Sequence, residues 1–549
     1  MSLQPGLATT ARIPIDIRRF PWIRRLAADY AFDYERLTDF FAGDPGAPHA
    51  WRQAISRVQA HPRQREQIAS ILEAQQRQRA APPAAFAATA QLRNPATVAI
   101  VTGQQAGLFG GPLFTLLKAL TALRLAERVR AEHQVPAVAI FWIDAEDHDW
   151  DEVKGCGVLD SDFAPHAVTV GSPPGGHEGP VARVRLDANI DNAIEEFEHL
   201  LPASEFTPGL LAALRRAYRP GTGMVDAFAQ WLESVLGPAG LIVYDSSDPA
   251  AKPLVGHVFG QEIERTGDTS RLAGEAGAAL QARGYHAQVT PHEGTSALFH
   301  LGRDRKPVRS DNGRFTIGEA AYTKSELIGL IVRAPQEFSP NVLLRPIVQD
   351  TLFPTVCYVA GPNELAYLGQ LGRVYESFGV PMPLMFQRAT ATLLDSNSVR
   401  FLLKHEFPLE ALRQQDEAAL NHLLESHLPP GVDASLEDAA RLLKERMEGL
   451  AAAVPQIDPT LEGATRATLN RMQDDLKKLH NKIVQAAKRK DETLRRQFTH
   501  AQAQAFPGGH PQEREIGFVY FLNRYGPGLI DRLGDELTFD MGIHWVIAI

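Results

Sequence analysis

The sequence predicts an α/β protein, a parallel-sheet core with insertions that also carries an α-helical antiparallel coiled-coil domain. Two observations lead there. Thr97–Thr102 and Val135–Ile143 are apolar runs separated by a Gly-rich loop and a Leu-rich helical stretch. Strand, loop, helix, strand is a βαβ unit, which lays its two strands in parallel. From about residue 396 to 505 the texture changes to long helical periodicity with segregated charge.

Taken in order, the first 95 residues read as a helical part of the core. Trp22, Leu26 and Tyr30, then Ile55, Val58, Ile68, Ile71 and Leu72, recur at helical spacing up to Pro82-Pro83. Residues 96–395 form the sheet-bearing core. After the first strand comes Gly103-Gln-Gln-Ala-Gly-Leu-Phe-Gly-Gly111, and Pro112 sits where a helix begins, pre-organised and with no N–H to lose. Leu113, Leu116, Leu117, Leu120 and Leu123 continue that helix. Leu241–Tyr244, ending in Asp245, and Val356–Val359 are further strand-like runs, while Gly- and Pro-rich stretches near 160–225 and 285–320 read as insertions.

In 396–505, Leu469, Met472, Leu476, Leu479 and Ile483 step by three and four, the spacing of a coiled-coil seam. Residues 405–448 hold 10 acids and 4 bases, net −6, whereas 465–496 hold 4 acids and 10 bases, net +6. Two helices of opposite sign joined near Pro455–Pro459 read as an antiparallel hairpin. The segment 506–549 turns apolar and aromatic again and ends His544-Trp-Val-Ile-Ala-Ile549, so it is expected to return to the core.

Composition narrows the function. The chain has 549 residues, 44% apolar and 22% charged, with net charge −9; it can bury large cores and carries no electrostatic footprint for nucleic acid or an anionic membrane. Cys156 and Cys357, its two cysteines, exclude a disulfide scaffold and a Cys-based zinc finger. Arg12, Pro14, Asp16, Arg18 and Arg19 precede any apolar run, so no signal peptide is expected, and the uncharged stretch Asn94–Leu117 is broken by glycines and Pro112. The expectation is a cytoplasmic protein.

Three clusters carry chemistry. There is no P-loop, and Gly103–Gly111 does not fit the dinucleotide fingerprint. Still, glycines at the junction of strand and helix let backbone N–H groups approach an anion, which makes Gly103, Gly107, Gly110 and Gly111 candidate nucleotide-binding residues and Gln104 and Gln105 neutral substrate ligands. The plainer alternative is a turn that needs glycine for packing. The second cluster, Asp144-Ala-Glu-Asp-His-Asp-Trp-Asp-Glu152, places six carboxylates and a histidine after the second strand. Glu152 stands where a calcium loop requires Gly, and His148 alone is too little nitrogen for zinc, so no permanent metal is expected. Asp144, Glu146, Asp147 and His148 are the candidate catalytic residues, as base, ammonium ligands or carriers of nucleotide-borne Mg2+; the alternative is an acidic, capped helix start. In the third, Arg345 lies before Pro346 and offers a fixed fork to a carboxylate or phosphate, unless it pairs with Asp350. Asn363 and Glu364 open the next helix and can reach the same cleft.

At these residues the chain resembles the cysteine-adding enzyme family of bacillithiol biosynthesis. The resemblance is carried by Thr102-Gly-Gln-Gln-Ala-Gly-Leu-Phe-Gly-Gly-Pro-Leu-Phe-Thr115, Phe141-Trp-Ile-Asp-Ala-Glu-Asp-His-Asp149, Pro340-Asn-Val-Leu-Leu-Arg-Pro346, Ala360-Gly-Pro-Asn-Glu-Leu-Ala-Tyr367 and Tyr520-Phe-Leu-Asn-Arg-Tyr-Gly526. It implies a Rossmann-like core with connecting-peptide insertions, a coiled-coil domain supporting a homodimer, and a ligase that adds L-cysteine to glucosaminyl malate. Such a core is similar to class I aminoacyl-tRNA synthetases, whose His-x-Gly-His motif is replaced here by Gln104-Gln-Ala-Gly107. Amide formation requires an activated carboxylate, so ATP with Mg2+ is the expected cosubstrate. Another carboxylate–amine ligase or a nucleotidyltransferase would share these motifs. A non-catalytic dimeric scaffold would not need the acidic cluster, and an RNA-binding role is opposed by the net charge.

Overall fold

The computed structural model describes residues 12–171, 179–290, 294–302, 304–311, 313–425, 431–490, 492–538 and 540–549. The expected insertions extend over 172–178 and 291–293, and the basic arm over Asp491, which lie outside the described residues. The chain forms two compact units, one of Thr10–Leu393 with Gln512–Ile547 and one of Leu394–Pro511.

Five strands build the centre of the larger unit: β1 (Val98–Gln104), β2 (Ala137–Ile143), β3 (Ile242–Asp245), β4 (Thr355–Ala360) and β5 (Leu384–Gln387). All neighbouring pairs are parallel, and their spatial order is β5-β4-β1-β2-β3. The chain thus builds outward from β1 in one direction and then crosses to build the other half. β1 and β4 flank the point where the order reverses, which is where doubly wound sheets leave a crevice beyond their strand ends.

The sheet is buried on both faces, which explains the continuous apolar runs. Period-two alternation divides β1 between two cores: Val98 and Ile100 face one, Ala99 and Val101 the other. Helix α1 (Leu113–His133) covers the first face through Leu116, Leu117 and Leu120. Pro112, expected as its first residue, is instead its N-cap, and the helix begins one position later at Leu113. The opposite face is covered in part by α2 (Arg345–Leu352), and the short α3 (Glu364–Leu368) follows β4 directly.

The helical preface has the helices Arg25–Phe32, Pro48–Ala60, Arg65–Arg79 and Pro83–Gln91. Pro83, read as an end, instead opens a helix, a position where a missing N–H is harmless. A strand at Arg12–Asp16 was not anticipated; it pairs antiparallel with Ile543–Ala548, Ile13 opposite Val546. Between β2 and β3 lie a hairpin (Gly155–Leu159 with Pro165–Thr169) and the helices Asn189–Leu200, Thr207–Ala217 and Met224–Leu236. Between β3 and β4, strands Thr295–Leu301, Arg305–Asp311, Arg314–Ile317 and Ala320–Thr323 form an antiparallel meander. Phe518, Tyr520 and Phe521 of the C-terminal segment are buried in the larger unit's core, with Phe518 stacked on Trp231.

In the smaller unit α4 (Val432–Ala453) and α5 (Leu461–Lys490) form the helical hairpin. His480, late in α5, lies 3.3 Å from Asp433 in the first turn of α4, as antiparallel packing requires. Phe498 of the following helix sets its ring edge-on against Phe401 and Phe407, fixing the hairpin's base. No helix among the described residues is long and apolar enough to cross a membrane.

Candidate active site

A cavity of about 530 Å³ opens where β1, β2 and β4 end, at the reversal of strand order. Gly103, Gln104 and Gln105 reach it from β1, Asp144 and Asp147 from the turn after β2, Gly361, Asn363 and Glu364 from the turn after β4, and Arg345 from α2. Residues more than 250 positions apart in sequence are thereby brought to one wall.

The acidic run divides its labour. Asp144, Asp147 and Glu152 line the cavity. Burial raises the Asp144 carboxyl above its ordinary range, against the pull of Arg345, and burial together with Asp149 raises Glu152 likewise. Asp147 accepts a hydrogen bond from Gln105 Nε2 at 2.6 Å and from the His148 N–H, and faces Arg305 at 3.9 Å. Glu146 is not on the wall; it is buried in a 2.5 Å ion pair with Lys252. Asp149 caps the one-turn helix Trp150–Val153 by accepting from the Glu152 N–H, and Asp151 pairs with Lys154 at the surface. His148 has a side chain 62% exposed and is not on the cavity wall. The capped helix start is therefore present, and Asp144, Asp147 and Glu152 of the same run line the cavity.

The glycine loop is likewise split. Gly103 lines the cavity, whereas Gly107, Gly110 and Gly111 are not brought to it. Their N–H groups are spent inside the turn, on Gln105, Gly107 and Leu108 carbonyls respectively. A Cβ on Gly107 would lie 2.8 Å from the Gly111 backbone, and one on Gly110 2.8 Å from Trp231 Nε1 and against the Phe518 ring. These glycines serve close packing, and an anion entering the cavity would find side-chain cations instead.

Arg345 does not pair with Asp350, whose carboxylate accepts from Tyr375 and Gln349. Its guanidinium donates to Gln349 Oε1 at 3.0 Å and Tyr367 OH at 3.3 Å, and lies over the rings of Trp142 and Tyr358. Burial pushes the Tyr367 hydroxyl up to about 12, so it stays neutral beside the cation. Glu364 accepts from Lys118, from the Gly361 N–H and from Tyr358 OH. Burial raises its pKa, but the Lys118 amine and the Gly361 N–H outweigh this and hold the carboxylate below its ordinary range.

Lys118 was not anticipated. It sits in α1 with a side chain only 4% exposed, donating to Gly103 O at 2.8 Å, Gln104 Oε1 at 3.1 Å and Glu364 Oε2 at 2.5 Å. It joins the ends of β1 and β4 across the reversal point, and burial draws its amine pKa down. One signal was available, since Lys118 is the sole charge between Arg93 and Arg124. Arg305, Arg388 and Arg514 also line the cavity and had no local signal. Arg388 is held by a bidentate pair with Glu513, and both Arg388 and Arg514 lie over Phe114. The wall is thus graded, with the carboxylates after β2 faced by Arg305 and Arg345, and with Arg388 and Arg514 standing beyond β5 and on the C-terminal segment.

Comparison with known proteins agrees with this architecture. Residues 13–389 match the family described as bacillithiol biosynthesis BshC, N-terminal Rossmann-like domain, and residues 391–549 match its C-terminal coiled-coil domain. A protein of Salinibacter ruber named "Putative cysteine ligase BshC" is 34% identical over 530 residues, 95% of this chain and 96% of its own length. Relatives with the same name from Koribacter versatilis and Chlorobaculum tepidum are 31% and 33% identical, covering 95% and 84% of this chain and 97% and 84% of their own. The α/β core with its strand order, the helical hairpin and a match along nearly the whole chain lead to one assignment: the chain belongs to the BshC family of bacillithiol biosynthesis.

Proposed function

We propose that the cavity at the ends of β1, β2 and β4 joins the carboxyl group of L-cysteine to the amine of glucosaminyl malate, the last step of bacillithiol formation. The carrying observation is the graded wall: Asp144, Asp147 and Glu152 at one end suit an amine, while Arg388 and Arg514 at the other suit the malate carboxylates. A carboxylate is a poor electrophile, and ATP, with Mg2+ brought alongside it, would supply the activation. The donor set fits such a polyanion, since four arginines, Arg305, Arg345, Arg388 and Arg514, line one cavity. Arg345, between the two ends, would orient a carboxylate or phosphate through its planar fork. Asp144, its proton affinity raised by burial, would take a proton from the attacking amine. The protein would act in the cytoplasm as a homodimer held by its helical domain.

The test is a mass-spectrometric assay of the purified protein with L-cysteine and glucosaminyl malate, with and without Mg-ATP. The reading expects the cysteinyl product only with ATP, together with AMP or ADP. Product without ATP would reject the activation chemistry, and no product under either condition would reject the substrates. Arg345→Lys keeps the charge but loses the fork, and should lower kcat/KM about tenfold or more; unchanged turnover would remove Arg345 from the role.

A further inference from the structure

A glutamine amide normally reads either polarity, because a half-turn exchanges its oxygen and nitrogen. In this cavity two adjacent glutamines have each lost that freedom. Gln104 meets Lys118 Nζ at 3.1 Å. An ammonium only donates, so the atom it meets is Oε1, and Gln104 has its NH2 left for the cavity. Lys118 is itself immobilised by Gly103 O and Glu364, so the lock does not depend on one contact. Gln105 meets Asp147 Oδ2 at 2.6 Å, and the other oxygen of that carboxylate accepts from the His148 N–H. A carboxylate only accepts, so the atom facing it is Nε2. Gln105 Oε1 is then left buried with no hydrogen-bond partner among the described residues.

A second unmet group shares the wall. Trp142 is 3% exposed and lines the cavity, and its Nε1–H has no partner among the described residues. Buried polar groups in folded proteins are almost always paired, so an orphan acceptor and an orphan donor at one cavity point to a ligand that supplies both counterparts. Gln105 Oε1 belongs to the end lined by Asp144, Asp147 and Glu152, where an ammonium is welcome. Gln104 bonds Lys118, and the Trp142 ring lies beneath the Arg345 guanidinium, which suits a carboxylate.

We propose that Gln104 and Gln105 are a fixed donor–acceptor pair that recognises an α-amino acid, Gln105 accepting from its amine and Gln104, with Trp142, donating to its carboxyl oxygens. This rests on the reading of the cavity as a ligase site and deepens it. It gives L-cysteine the end beside β2 and leaves the arginines beyond β5 to the malate part. Lys118 and Asp147 fix the two amides, Lys118 through Gln104 Oε1 and Asp147 through Gln105 Nε2.

The test is calorimetric titration of the full-length protein with L-cysteine, with 3-mercaptopropionate, which lacks the amine, and with cysteamine, which lacks the carboxyl. The wild type should bind L-cysteine about tenfold or more tighter than either analogue, since a site built around a donor rejects a ligand lacking it. Gln105→Leu should bring L-cysteine down to the level of 3-mercaptopropionate while the latter moves less than about threefold. Gln104→Leu should do the same toward cysteamine. Gln105→Met serves as a second variant should the leucine protein not fold. Parallel losses for L-cysteine and its desamino analogue, no change in either, or a wild type that does not discriminate would each overturn the proposal. Turnover separates this from the ligase reading. Product formation with an unaltered KM for cysteine in Gln105→Leu would sink the amide pair alone. Amine discrimination without any product would sink the ligase reading alone.

Discussion

Glu262 lies in the helix Lys252–Glu264, with one carboxylate oxygen on the Ala297 N–H at 2.8 Å and the other on the Thr269 hydroxyl at 2.5 Å. Both partners are neutral, and burial lifts its pKa to about 7. Between about 4.5, its ordinary value, and 7 the folded protein keeps a proton that the unfolded chain has released, so stability falls as pH rises through that window. Glutamine has no proton to lose, and its oxygen can still accept from Ala297. Glu262→Gln should therefore raise the thermal midpoint at pH 8, by up to about 3 kcal/mol of stability, and change little at pH 5. An equal gain at both pH values, or none at pH 8, would contradict the account. No sequence pattern marks Glu262, because its environment is set by Ala297 and Thr269, brought to it by the fold. The same holds for Arg305, Arg388 and Arg514, whereas Lys118 stands out in the sequence as the one charge in a long uncharged run.

Among elements, the strands of the parallel sheet were legible because burial on both faces leaves uninterrupted apolar runs that polar interruptions bound. The hairpin was legible because its two arms segregate charge, and His480 meeting Asp433 places them antiparallel. The strand Arg12–Asp16 was not, since Arg12, Ile13, Pro14, Ile15 and Asp16 carry no pattern that outweighs charge and proline; only the distant Ile543–Ala548 makes it a strand. The glycine loop is the instructive intermediate. Glycine at a strand-to-helix junction announces close approach but not what approaches, and at Gly110 it is the ring of Phe518. Gly110 also has φ +100°, a conformation that side chains resist. Gly110→Ala should lose about 3 kcal/mol through strain and overpacking, seen as a lowered thermal midpoint. Gly209→Ala, in the helix Thr207–Ala217 with nothing within 4 Å of the added carbon, should cost nothing or stabilise. Equal effects would mean that the loop yields easily and packing is not its purpose.

At the scale of the whole molecule, surface charge and apolar exposure in the smaller unit bear on self-association. Leu442 and Leu450 of α4 and Leu461, Met472 and Leu479 of α5 are 38–48% exposed, and Met472 and Leu479, seven residues apart, fall on one stripe. The homodimer proposed above would cover these large apolar side chains. The arms differ in sign, net −6 over 405–448 and net +6 over 465–496. A second copy turned by a two-fold axis presents each arm with its opposite, and a two-fold contact closes on itself where other arrangements would propagate. The homodimer proposed above should therefore appear by light scattering at micromolar concentration. Leu479→Glu combined with Met472→Glu should convert it to a monomer, while the thermal midpoint of the larger unit, where the cavity lies, stays unchanged. Added salt should weaken association only partly, because the screened charges select the orientation while the apolar stripe supplies most of the affinity. A wild type that is monomeric, or a dimer indifferent to both substitutions, would remove the helical arm from this role and leave its apolar stripe to some other partner.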